Sequence, residues 1–60
     1  MPTDLDLGAL IVLNVYRIRQ LGETSVEEVR KDGKELDLEL SIDDIAFIIA
    51  RAHELFQKAA

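Results

Sequence analysis

The chain has 60 residues, is 48% apolar, and carries 12 acidic against 7 basic side chains, with one histidine and no cysteine or tryptophan. That is a single small domain, 1–60, and a chain of this size buries only about 60% of the surface its unfolded form exposes. Disulfides and thiolate zinc sites are excluded by composition, and a lone histidine argues against a structural metal. Close helix packing, a core completed by a second chain, or both must do the stabilising.

The formal charge of −5 is unevenly placed. In residues 1–22, Asp4 and Asp6 balance Arg17 and Arg19, and residues 45–60 set Glu54 against Arg51 and Lys58. Residues 23–44 hold nine acids against only Arg30, Lys31 and Lys34. Phosphate recognition needs a basic footprint, so direct nucleic-acid binding is not expected, nor is attraction to an anionic membrane. The first residues lack the basic region of a signal peptide. The apolar run after them is shorter than the roughly 20 residues of a spanning helix and is interrupted by Asn14 and Arg17. A cytoplasmic location is expected.

The first segment, residues 4–21, can be capped by Thr3, Asp4 or Asp6, has Arg17 and Arg19 for its last turn, and meets Gly22 where a helix commonly stops. On a helical wheel Leu7, Ile11, Val15 and Ile18 form one apolar stripe, while Leu5, Ala9, Val12 and Tyr16 form a second on nearly the opposite side. A helix apolar on two faces calls for burial on two faces. The competing reading is a buried strand over residues 9–19, suggested by Ile11, Val12, Val15, Tyr16 and Ile18; length and capping favour the helix.

The segment from Thr24 to Val29 has a hydroxyl cap, a following glutamate, and Val26 and Val29 one turn apart, which predicts a short helix closed by Asp32-Gly33. Leu36, Leu38 and Leu40 alternate with acids, a strand pattern with no evident partner inside the chain, so pairing with a second copy is expected. A hairpin turning at Asp32-Gly33 would set Glu28 opposite Asp37, which like charges disfavour. The last segment, from Ser41 onward, is an amphipathic helix. Ser41 and Asp44 approximate a capping box, Leu40 is placed to staple onto Ile45, and Ile42, Ile45, Ile48, Ile49, Ala52, Leu55, Phe56 and Ala59 share one face.

The chain therefore reads as mainly α: three helices over about 5–21, 24–31 and 41–58, with a short extended segment over 35–40, assembled as an intertwined or face-to-face homodimer. The alternative is an α+β fold with a hairpin around 26–40 packed on the C-terminal helix.

Catalytic chemistry finds few residues here. Ser25 and Ser41 are helix caps, and His53 has no acid one turn away and reads as a partly buried boundary residue. Asp37, Glu39, Asp43 and Asp44 do not follow a calcium-loop pattern. No enzyme activity, cofactor or metal is expected. Two features point elsewhere. Phe47 falls on the charged face of the last helix, near Asp43, Arg51, Glu54 and Lys58, and the first helix has apolar surface to spare.

The leading functional expectation is a small acidic adaptor or regulator that acts as a homodimer. Leu5, Ala9, Val12, Tyr16, Leu36 and Leu38 would serve self-association. Phe47, Arg51, Glu35, Asp37, Glu39 and Asp43 would serve a protein partner, one with a basic surface. The alternatives are an acidic inhibitor that mimics nucleic acid in a basic groove, and a structural subunit of a larger complex.

Overall fold

The computed structural model describes residues 1–59 and contains three helices, α1 (Asp4–Leu21), α2 (Val26–Glu35) and α3 (Ile42–Ala59), with no β-strand among the described residues. The mainly α architecture is as the sequence predicts. Neither the strand reading of residues 9–19 nor the hairpin around 26–40 is adopted.

Each helix begins with a polar cap. Thr3 and Asp6 form a reciprocal capping box on α1, with Thr3 N donating to Asp6 Oδ2 at 2.9 Å and Asp6 N donating to Thr3 Oγ1 at 3.1 Å. Ser41 and Asp44 repeat the arrangement on α3 at 3.2 and 3.1 Å, and Ser25 Oγ accepts from Glu28 N at 3.2 Å on α2. These bonds satisfy amides that have no partner within the helix. α1 stops at Gly22, whose φ of 87° no branched residue would adopt readily and whose N–H donates to Ile18 O at 2.8 Å.

The end of α2 departs from expectation. Asp32-Gly33 does not close the helix, which runs on to Glu35. It ends through two bonds, Leu38 N to Gly33 O at 2.8 Å and Asp37 N to Lys34 O at 3.0 Å. Together with a left-handed Asp37 at φ 58°, these make a Schellman ending with aspartate where glycine is commonest. Two tertiary contacts hold Asp32-Gly33 in the helix: Asp32 is bound by α1, and Leu40 lies over Gly33. A Cβ on Gly33 would come within 2.6 Å of Leu40 Cδ1, so the glycine serves a close approach within a helix. The predicted extended segment over 35–40 is thus a helix end, a turn at Leu36-Asp37 and an irregular link.

Arg17 of α1 reaches Glu28 and Asp32 of α2, and Asn14 reaches Asp32, so α2 runs back along α1. The ends of α1 and α3 meet in a shallow cleft lined by Val15, Arg19, Phe56 and Ala59. The principal packing is between α1 and α3. Leu10, Ile11, Val29, Ile45 and Ile48 form the centre of the core, and Leu7, Val15, Leu38, Leu40, Ile49 and Leu55 pack around it. Leu40 and Ile45 are both in that cluster, consistent with the staple. Ile42 and Ala59, expected on the buried face of α3, are exposed, because they lie in its first and last turns, where the packing against the other helices thins out.

Within this apolar centre lies a polar cluster. Asn14 is fully buried and Asp32 is 5% exposed. Arg17 grips Asp32 with two parallel bonds, Nη1 to Oδ2 at 2.7 Å and Nη2 to Oδ1 at 2.8 Å. Asn14 Nδ2 donates to Leu10 O at 2.7 Å and to Asp32 Oδ2 at 3.3 Å. Asn14 Oδ1 accepts from Arg17 Nη1 at 2.7 Å and from Thr24 Oγ1 at 2.6 Å. The amide orientation follows from its surroundings: two donors face its oxygen and two acceptors face its nitrogen. The hydrogen bond to Asp32 raises the Arg17 pKa above its ordinary value, so the guanidinium stays charged.

Breaking a buried charge pair from one side leaves the other charge uncompensated, which costs about 3–5 kcal/mol, whereas an apolar replacement of both partners is often neutral. Asp32→Ala is therefore expected to leave the domain largely unfolded. The double variant Arg17→Met/Asp32→Leu is expected to recover most of that loss in urea unfolding followed by circular dichroism. A double variant no more stable than Asp32→Ala would contradict this account.

Candidate interaction surfaces

Among the described residues, no three His, Cys, Asp or Glu side chains come together in a way that could hold a metal ion. The Asn14–Arg17–Thr24–Asp32 cluster is the first place to look for chemistry, but its groups are committed to one another, and no buried side-chain nitrogen or oxygen among the described residues lacks a partner. Such a closed network locks α1 to α2 and the loop between them; it offers no free base or nucleophile. His53, expected at the boundary of the core, is exposed. No described helix is long and apolar enough to cross a membrane.

What the structure leaves open is surface. α2 and α3 cover α1 from one side only, burying Leu10, Ile11, Asn14 and Ile18. The opposite side carries the second apolar stripe uncovered: Leu5 is 85% exposed, Val12 67% and Tyr16 61%, with Ala9 exposed between them. Two residues outside the predicted stripe belong to the same face. Leu13 is 40% exposed, and Gly8 lines a shallow apolar groove with Asp4, Leu5, Ala9 and Val12. The helical spacing that selects Ala9, Val12 and Tyr16 also selects Gly8 and Leu13 at the neighbouring i+3 and i+4 steps. Leu21, Leu36 and Ile42 are also exposed, but each stands at a helix end, where single apolar side chains on a surface are ordinary.

The expected use of Leu36 and Leu38 as one strand face needs correction. There is no strand there, and the two side chains part company. Leu36 is 51% exposed at the end of α2, while Leu38 packs inward against the core cluster. The Schellman ending turns Leu38 under the helix, and that satisfies it within its own chain.

Phe47 is 52% exposed on the outer side of α3. Arg51, one turn on, gives its Nη1 to Glu54 Oε1 at 2.6 Å, and Lys58 Nζ stands 3.5 Å from the same oxygen. The arginine is thus engaged along the helix by a carboxylate. Glu35, Asp37, Glu39 and Asp43 are all exposed, and the ion pairs among the described residues use none of them. Arg30 and Lys34 line a shallow cleft with Asp37, Leu38, Glu39 and Leu40, so positive charge interrupts the acidic strip. These partner-facing candidates therefore occupy the end of α2, the link after it and the outer surface of α3, and Arg51 joins them as a member of an ion-paired row.

Compared with models of protein families, with curated proteins and with solved structures, the chain matches none.

The contrast between Phe47 and its neighbour Ile48, which is 0% exposed, yields a stability test. Phe47→Ala is expected to lower the unfolding free energy by about 1 kcal/mol or less, in proportion to its half-burial. Ile48→Ala should cost about 2–5 kcal/mol. Urea midpoints with an unchanged slope would measure both; similar losses at the two positions would show that Phe47 belongs to the fold.

Proposed function

We propose that the chain is a small, acidic, non-enzymatic interaction module, an adaptor or regulator that acts as a homodimer joined through the outward face of α1. The observation that carries this reading is the uncovered row Leu5, Ala9, Val12, Leu13 and Tyr16 on a helix whose other side is already filled. A 60-residue core is marginal, and without cysteine the remaining support for so small a domain is close helix packing, association or both. Two-fold dimers are the commonest small assembly, and they bury the same patch from each copy.

In this arrangement Phe47 and the carboxylates of Glu35, Asp37, Glu39 and Asp43 face away from the dimer seam and meet a protein partner with a basic surface. Neither direct nucleic-acid binding nor membrane attachment is part of the proposal. A cysteine-free chain suits a reducing compartment, and the cytoplasm is the proposed location.

Light scattering at micromolar concentration tests the dimer. The expected mass is that of two chains, and a well-folded single-chain species across that range would remove the reading. Because Val12 is exposed within the single chain, Val12→Asp is expected to halve the mass while leaving helical content intact.

A second reading is favoured by the unpaired state of the four exposed carboxylates: an acidic inhibitor occupying the basic groove of a nucleic-acid-binding protein. Captured from extract at low salt, such a target should dissociate steeply as salt rises to physiological levels and above. Retention unchanged over that range would exclude the electrostatic mimic and leave an apolar contact through Phe47.

A further inference from the structure

We infer that the two copies pair along α1 in antiparallel fashion, with a register that sets Leu5 of one copy level with Tyr16 of the other. This rests on the homodimer reading above and specifies its geometry. Three independent features of α1 lead to it.

The first is the composition of the face. Its six positions, Leu5, Gly8, Ala9, Val12, Leu13 and Tyr16, form three pairs, Leu5 with Tyr16, Gly8 with Leu13 and Ala9 with Val12, whose numbers share one sum. A two-fold axis passing between the two helices, level with the Leu10–Ile11 peptide, sets the members of each pair at the same height, one from each copy, so the two halves of the face lie over each other in that register. The small residues Gly8 and Ala9 lie in the half that begins with Leu5, and the bulky Val12, Leu13 and Tyr16 make up the other. Antiparallel pairing places the bulky half of one copy over the shallow groove lined by Asp4, Leu5, Gly8, Ala9 and Val12 of the other. Parallel pairing sets bulk against bulk and leaves the small residues facing a gap.

The second is charge. Asp4 and Arg19 are both exposed, at opposite ends of α1, and neither enters an ion pair among the described residues. Arg19 lies on the same flank of the outward face as Asp4 by helical angle. Antiparallel pairing brings it about two residues, roughly 3 Å along the axis, from the level of Asp4 in the second copy. The helix dipoles oppose in the same arrangement. Parallel pairing aligns acid with acid and arginine with arginine.

The third is Gly8. It sits inside a helix, its φ is ordinary, and a Cβ built on it meets nothing within 4 Å. Glycine weakens a helix relative to alanine, and no contact within the chain compensates for it. A second helix approaching closely at this point does, as at Gly33, where Leu40 occupies the space a Cβ would fill.

The absence of native cysteine permits a direct test with the single variants Leu5→Cys and Tyr16→Cys, equilibrated in a glutathione redox buffer so that chance collisions do not accumulate links. Mixed together, the two are expected to yield a disulfide-linked 5–16 dimer. Each alone is expected to stay unlinked, since identical positions in the antiparallel pair lie about 16 Å apart along the axis, beyond the roughly 7 Å that a disulfide spans between Cα atoms. Linkage of either variant with itself would overturn the antiparallel register while leaving the homodimer in place. A two-chain mass with no linkage in any sample would overturn pairing through α1, and a one-chain mass would overturn the homodimer itself. Gly8→Ala provides an independent arm: association is expected to weaken about tenfold, while the unfolding temperature of the dissociated chain rises. Tighter association in that variant would contradict close approach at Gly8.

Discussion

The bidentate bond between Arg17 and Asp32 is the constraint on which the arrangement of the three helices depends. It joins the C-terminal part of α1 to the second half of α2 with both oxygens of one carboxylate engaged, at 2.7 and 2.8 Å, and so sets both the distance and the rotation between the helices. Asn14, buried beside it, ties the same carboxylate to a carbonyl of α1 and to Thr24 in the connecting loop. An apolar contact between α1 and α2 would tolerate sliding by a turn, but this network does not, because any slip would leave charged and amide groups buried without partners. The choice is specific rather than economical: two desolvated charges hold a register that leucines would hold less exactly.

Committing α1 to this network has a second effect. The helix turns its polar centre and the stripe around Leu10, Ile11 and Ile18 toward α2 and α3, and the opposite stripe goes to solvent. α2 is only ten residues long, and α3 lies along one side, so none of the described elements covers Leu5, Val12 and Tyr16. The surplus apolar surface therefore follows from the shortness of α2 and from where the polar bond lies. In a molecule with 48% apolar residues and extents of 31 × 19 × 16 Å, that surplus is the surface on which the proposed association rests.

Charge follows the same division of labour. The acidic excess of the middle segment is partly consumed internally, since Asp32 and Glu28 both answer Arg17. What is left outside comprises Glu23 and Glu27 near the start of α2, and Glu35, Asp37, Glu39 and Asp43 around the α2–α3 link and the start of α3, the latter group interleaved with Arg30 and Lys34. The negative surface is smaller and more mixed than the count of acids implies. Within the proposed function, that favours an apolar contact and modest electrostatics acting together over charge alone.

Local signals were sufficient for much of this. The caps at Thr3 and Ser41, the stop at Gly22, the helical spacing of α1 and α3 and the existence of two apolar stripes on α1 all depend on residues within one or two turns of each other, and periodicity and capping chemistry read such features directly. Three decisions lay beyond that range. Asp32-Gly33 looks like a helix stop, yet it lies inside α2 because a residue fifteen positions earlier binds the aspartate and Leu40 occupies the space above the glycine. Asn14 reads as an interruption of an apolar run, yet it is buried and bonded on every side. Leu36 and Leu38 alternate like a strand, yet the left-handed turn at Asp37 sends one outward and the other into the core. By itself the sequence determined which segments are helical and how much apolar surface each presents, because those follow from neighbours along the chain. Where α2 ends, which polar groups are buried and which stripe of α1 remains open were decided by tertiary structure, because each requires knowing what a distant segment brings to the same place.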